Sequence, residues 1–115
     1  MQKLTTDELR KMRDRRDDFL LINVLDEESF DKEHIPDSRS LPLERRDFLK
    51  EVNRLAGRKD RRIVVYCAGP DCTASPTAGK KLEADGFTNI SHYEGGMKAW
   101  REAGLPIRQA AHVSH

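Results

Sequence analysis

Two thiols, Cys67 and Cys72, stand in a stretch almost free of charge: between Ile63 and Gly79 the only ionised side chain is Asp71. The thiolate is the nucleophilic form of cysteine, and an ordinary cysteine, with a pKa of about 8.5, is only a few per cent ionised at neutral pH. Lowering that value by ~2 units takes roughly 2.7 kcal/mol of preferential stabilisation of the anion. The run from Cys67 to Ser75 offers a means. Ala68, Gly69, Pro70, Asp71, Thr73, Ala74 and Ser75 form a loop of mostly small residues, whose amides can turn inward as an anion-binding nest. A helix opening behind the loop adds the positive end of its dipole. Such a ring would hold a Cys67 thiolate, and equally the outer sulfur of a persulfide formed on it. Asp71 disfavours a second anion unless it faces water, and Pro70 withholds one amide. The plain alternative for Cys67 is a small buried core residue. For Cys72 three readings stand: a second reactive thiol, a resolving partner for Cys67, or a loop residue without chemistry.

The elements around this loop can be read from apolar periodicity. Arg62 to Tyr66 is a buried strand feeding Cys67, and Ser75-Pro76 reads as a helix cap followed by proline at the first helical position. That helix runs through Leu82 and stops at Gly86. Phe19 to Val24 is a second nearly continuous apolar run, as in a strand buried on both faces. Thr5 and Glu8 have capping-box spacing ahead of a helix that turns Leu9 and Met12 inward. Glu27 to Asp31 is a short acidic helical turn, and Ser38 to Leu41 a short strand. Phe48, Leu49, Val52 and Leu55 mark a helix face ending at Gly57. Asn89 to Tyr93 is a third strong strand, and Gly95-Gly96 leads into a last helix carrying Met97 and Trp100. Alternating strands and helices predict an α/β domain of three layers, a mostly parallel central sheet with helices on both faces. Sites in such sheets lie at the carboxyl ends of strands, where Cys67 falls.

Composition narrows the function classes. The 115 residues fit one domain, read as 1–108, with 109–115 as a loose tail. A formal charge of +1 gives no bulk field toward nucleic acid or an anionic membrane. Runs such as Arg13-Asp14-Arg15-Arg16-Asp17-Asp18 read as a solvated helix face. No apolar run approaches the ~20 residues of a membrane span, and Met1 to Leu4 lacks a leader's apolar stretch. The cytoplasm is therefore the default, with the cysteines as thiols. Neither they nor His34, His92, His112 and His115 show a metal-ligand spacing, so no metal or cofactor is expected. His34 reads as a packed turn residue, Gly95-Gly96 as a tight turn and Trp100 as core.

Four segments in order resemble the rhodanese family. Leu20 to Val24 resembles its strand ending in Asp-Val-Arg. Ser29-Phe30 with Glu33-His34-Ile35-Pro36-Asp37-Ser38 resembles its Glu-Phe and Gly-His-Ile-Pro-Gly-Ala segments. Val64-Val65-Tyr66-Cys67 resembles the strand bearing its catalytic cysteine. Tyr93 to Trp100 with Gly104-Leu105-Pro106 resembles its C-terminal signature. The resemblance covers nearly the whole chain and implies that Cys67 carries sulfur. Asn23, Leu25 and Ser29 stand where the family usually has Asp, Arg and Glu. Glu33 and Asp37 replace glycines, so that turn is expected to differ in shape. Familiar rhodaneses place Arg five residues after the cysteine, followed by Ser or Thr. Those positions hold Cys72 and Thr73 here; counting back from the helix instead puts Ser75 in the Ser position and makes the loop two residues longer, the preferred register. No arginine lies in the loop in either register.

The resulting expectation is a sulfurtransferase without a cofactor. Cys67 takes sulfane sulfur from a small donor (thiosulfate, a persulfide or a polysulfide) and passes it to a thiol or other nucleophilic acceptor, a protein thiol among them. Thiosulfate:cyanide activity is expected to be weak, and the chain a monomer or weak dimer. The alternative is a non-catalytic module that binds a partner or senses redox state. A phosphatase or arsenate reductase on this fold ranks low, because the loop has no arginine to clamp a tetrahedral oxyanion.

Overall fold

The two apolar runs become adjacent central strands, β2 (Leu20–Asn23) and β4 (Ile63–Tyr66), every residue of which is buried. The computed structural model describes residues 1–109, so the expected tail lies, past Gln109, outside the described residues. β5 (Ile90–Tyr93) pairs with the far side of β4, and β3 (Arg39–Ser40) with the far side of β2. One strand, β1 (Gln2–Leu4), has no counterpart in the apolar pattern and pairs with β5. All four strand pairings are parallel, giving the order β1-β5-β4-β2-β3. Strands joined in parallel need crossover helices, and these cover both faces.

Alternation along β4 sorts the two cores. Ile63 and Val65 face a layer made by α3 (Phe48–Ala56) and α4 (Ala74–Ala84), where Phe48, Val52, Ala78 and Leu82 are buried. Val64 and Tyr66 face α1 (Thr6–Asp14) and α5 (Gly96–Glu102), which contribute Leu9, Met12, Met97 and Trp100. Continuing the alternation by one residue puts Cys67 on the α3/α4 side, 1% exposed at the carboxyl end of β4.

The caps explain the helix limits. Thr5 Oγ1 accepts from Glu8 N at 3.1 Å while Glu8 returns a carboxylate to Thr5 N at 2.9 Å, completing the capping box. α3 ends where Gly57 takes φ 80°, the usual glycine stop. α2 (Glu27–Lys32) buries nothing. The Arg/Asp run at the end of α1 is only partly a solvated face: Arg15 pairs locally with Asp17, but Arg13 reaches Asp37, the Pro36 carbonyl and the Trp100 ring, and Asp18 reaches Arg58 and Arg61.

One expectation is corrected. Thr73, not Ser75, is the N-cap of α4, and Ser75 lies inside the first turn. Pro76 is tolerated there because the first amides of a helix have no intrahelical acceptor. Asp37, in place of a glycine, adopts φ 71°. That is a left-handed conformation, which Asp tolerates better than most side chains.

His92, in β5, supplies a pH-dependent contribution. Burial chiefly holds its imidazole below the ordinary 6.5, with Glu94 opposing and Lys3 reinforcing the shift. The folded state thus favours neutral imidazole, and the unfolded chain takes up the proton first as pH falls. The stability is present above pH 6.5 and is lost as pH drops below it toward the folded value. Urea unfolding between about pH 7.5 and pH 5.5 should show falling stability, with a flatter profile in His92→Gln.

Candidate active site

The loop between β4 and α4 is anchored from outside by the start of α5. Met97 N donates to the Cys67 carbonyl at 2.9 Å and Lys98 N to the Ala68 carbonyl at 2.8 Å. These are N-terminal helix amides that need an acceptor outside their own helix. The peptide bonds here are trans, so the amides of Ala68 and Gly69 point opposite to those carbonyls and away from α5. Gly69 to Cys72 then forms a β-turn, Cys72 N donating to Gly69 O at 3.1 Å with Pro70 at the second position. Proline presets φ for that place, so Pro70 shapes the loop as well as withholding an amide.

Gly96 makes the anchoring possible. It has φ 60°, and a Cβ there would collide with the Cys67 carbonyl oxygen and stand 2.8 Å from Gly69 N. The Gly95-Gly96 pair is thus more than a turn. It is the surface on which the cysteine loop rests.

Cys67 Sγ lies 3.3 Å from Ser75 Oγ and 3.7 Å from the Cys72 carbonyl oxygen. Cys67 and Cys72 are paired as a disulfide, with their Cα atoms 6.4 Å apart, inside the range such bridges require. Of the three readings of Cys72, the geometry favours the one in which it meets Cys67. Ser75 is buried and aimed at the sulfur, whereas Thr73 is exposed and Ala74 half-buried. Ala68, Pro70 and Asp71 are exposed and Gly69 half-buried; Asp71 therefore faces water, where its charge is screened. The first turn of α4 carries no acidic residue, so nothing there competes with an anion.

The loop helix begins after Thr73, which supports the shorter register. The Ser75 cap that argued for the longer register is absent, and in either register no arginine lies in the loop. The positive charges near the loop come instead from α5. Lys98, Arg101 and Glu102 line a groove of about 360 Å³ with Gly69, Asp71 and Cys72. Arg101 also borders an adjoining cleft of about 500 Å³ with Leu25, Ser29, Glu33, Ala68 and Met97, and it pairs with Glu33. Neither cation stands out in the sequence. Their signal is topological: β5 lies beside β4 in parallel, so the segment after β5 must flank the segment after Cys67.

The β2 end of the site is held by neutral polar groups. Tyr66 OH accepts from Asn23 Nδ2 at 3.1 Å and from Ile35 N at 3.0 Å, and lies 2.8 Å from Ser38 Oγ. Ser38 Oγ donates to Ile35 O at 2.7 Å, so the phenol proton goes to Ser38. Asn23 Oδ1 also accepts from Leu25 N at 2.9 Å. Burial, only partly offset by these partners, raises the Tyr66 phenol above its usual value. Asn23, in the place of the family's Asp, thus works without a counter-cation. Tyr66→Phe should cost about 2–3 kcal/mol by orphaning buried donors, read as a fall in the urea midpoint at unchanged m-value. His34 behaves as the packed turn residue expected, Nδ1 2.8 Å from Phe30 O and its ring stacked on Phe30. Trp100 is core, donating Nε1–H to Pro106 O.

Residues 5–103 match the family model described as the rhodanese-like domain. The chain belongs to the rhodanese-like family. Its relatives include an HTH-type transcriptional regulator of Mycobacterium tuberculosis, 34% identical over 83% of this chain and 40% of that protein. Another is the tRNA uridine(34) hydroxylase of Escherichia coli, 30% identical over 79% of this chain and 27% of that protein. Among solved structures, thiosulfate sulfurtransferase from Pseudomonas aeruginosa superposes with TM-score 0.83 and 26% identity, over 95% of this chain and 20% of that one. The Alr3790 protein of Anabaena gives TM-score 0.80 at 26% identity, covering 94% and 81%. This rhodanese-like chain spans less than half the length of the curated relatives it matches. Among the described residues, no helix is long and apolar enough to cross a membrane.

Proposed function

We propose that this rhodanese-like chain is a sulfurtransferase that carries sulfane sulfur as a persulfide on Cys67. The observation that carries the reading is the placement of Cys67 Sγ: at the carboxyl end of β4, 3.3 Å from the Ser75 hydroxyl at the acid-free first turn of α4. A thiolate there attacks the outer sulfur of the donor, and the donor's remainder leaves. With thiosulfate the leaving group is sulfite. The persulfide then passes its outer sulfur to a thiol acceptor and the Cys67 thiolate returns. Ser75 O–H is positioned to donate to either sulfur anion. The approach is of mixed charge, Lys98 and Arg101 standing with Asp71 and Glu102, so it is the Ser75 hydroxyl and the start of α4 that favour the sulfur anion. Without an arginine in the loop, cyanide-linked turnover of thiosulfate should be slow. The working form has the Cys67–Cys72 pair open, as in a reducing compartment such as the cytoplasm.

The test is intact-mass measurement of the reduced, desalted chain after incubation with thiosulfate or inorganic polysulfide. A gain of one sulfur atom, or its footprint as released sulfite, mapped by peptide analysis to Cys67, is the expected result. The absence of both overturns the reading. A redox-sensing module is the second reading, favoured by the Cys67–Cys72 disulfide. It predicts reversible dithiol–disulfide cycling with peroxide and no sulfur uptake.

A further inference from the structure

We propose that Cys72 is a resolving thiol that discharges the Cys67 persulfide as hydrosulfide, which makes this chain a dithiol-dependent sulfane-sulfur reductase as well as a carrier. The inference rests on the carrier reading above. A persulfide on Cys67 has two electrophilic sulfurs. An external acceptor meets the outer one, and attack there is transfer. Cys72 is bonded to Cys67's own Sγ, which is the inner sulfur of the persulfide. It approaches from the half-buried, groove-lining side of the loop, whereas Cys67 is 1% exposed.

The step balances without an outside oxidant. The Cys72 thiolate attacks Cys67 Sγ and forms the Cys67–Cys72 bond. The Cys67–outer sulfur bond breaks, and the outer sulfur leaves with the electron pair and its proton as hydrosulfide. The sulfane sulfur is reduced to the sulfide level, and the two cysteines are oxidised to the disulfide. That disulfide is the pairing present in the structure, and it is the product state of this step. An external dithiol reductant reopens it. Cys72 opens on a groove bordered by Lys98 and Arg101 together with Asp71 and Glu102, which gives the departing hydrosulfide a polar way out. The β-turn from Gly69 to Cys72 holds the resolving residue beside its target, so the attack is intramolecular and gains over any dilute external thiol.

The full chain, reduced and desalted, is incubated with thiosulfate labelled in its outer sulfur, with no added thiol. Sulfite reports loading; labelled hydrosulfide reports resolution. Wild type should release both in a single turnover and finish two hydrogens lighter. Cys72→Ser should release sulfite, release no hydrosulfide, and keep the labelled sulfur until a thiol is added. If wild type releases sulfite but retains the label, or if Cys72→Ser yields hydrosulfide as wild type does, resolution by Cys72 is overturned and the carrier reading stands. If Cys72→Ser alone fails to release sulfite, Cys72 is the loading thiol and the assignment is overturned. If neither protein releases sulfite or gains mass, the carrier reading falls and this inference with it.

Discussion

Cys67→Ser should abolish sulfur loading outright while leaving a folded chain. Serine cannot form a persulfide, and its alkoxide is not accessible at neutral pH, so neither sulfite release nor mass gain should exceed the uncatalysed background. The fold should survive because the site already accommodates a polar group. Cys67 Sγ has Ser75 Oγ at 3.3 Å and the Cys72 carbonyl at 3.7 Å, so a serine hydroxyl there can find a partner. Its net cost should be about 1 kcal/mol under reducing conditions. In the oxidised protein the same substitution also removes the cross-link, which closes a small loop and contributes roughly 2 kcal/mol. The measurement pairs intact-mass loading with urea unfolding, with and without reductant. Loading that persists on Cys67→Ser would move the chemistry to Cys72.

Gly96→Ala should be the most damaging single methyl in the chain. Two effects combine at this position. A φ of 60° costs an ordinary L-residue about 1–2 kcal/mol. The added Cβ also meets the Cys67 carbonyl, Gly69 N and Ala68 C, which are all backbone and cannot move aside by rotating. Overpacking of that kind adds roughly 1–3 kcal/mol, for a total of about 4 kcal/mol. Relief requires α5 to withdraw from the loop, breaking the Met97 and Lys98 hydrogen bonds that orient it, so sulfur loading should fall along with stability. Gly57→Ala isolates the first effect. Gly57 has φ 80°, and a methyl group added there would meet nothing within 4 Å, so it should cost only about 1 kcal/mol and leave loading intact. Equal losses at the two sites would mean that the collision with the loop is not what matters.

The parts of this molecule legible in the sequence are those set by local pattern. The apolar runs in β2 and β4 announce buried parallel strands. The Thr5–Glu8 spacing announces a cap, and Gly57 a helix end. The cysteine at a strand terminus follows, and the resemblance to rhodaneses points the same way. β1 escapes such a reading because three residues with only Leu4 buried make no pattern; partnership with β5 creates it. The α4 cap is ambiguous in the sequence because Thr73 and Ser75 are both good caps and Pro76 is acceptable anywhere in the first turn. Cys67 decides between them, because Ser75 is drawn in against its sulfur. Lys98, Arg101 and the close approach of Gly96 all depend on β5 lying next to β4, a fact of strand order that no local window contains.

The margins of the sheet are both brief. β1 has three residues, one of them Lys3, and β3 has only two, while the four-residue ladders lie in the interior. An unpaired margin of that length, carrying a lysine, offers a poor template for recruiting a foreign strand. Crowded copies of this protein therefore have little purchase for growing into one another edge to edge.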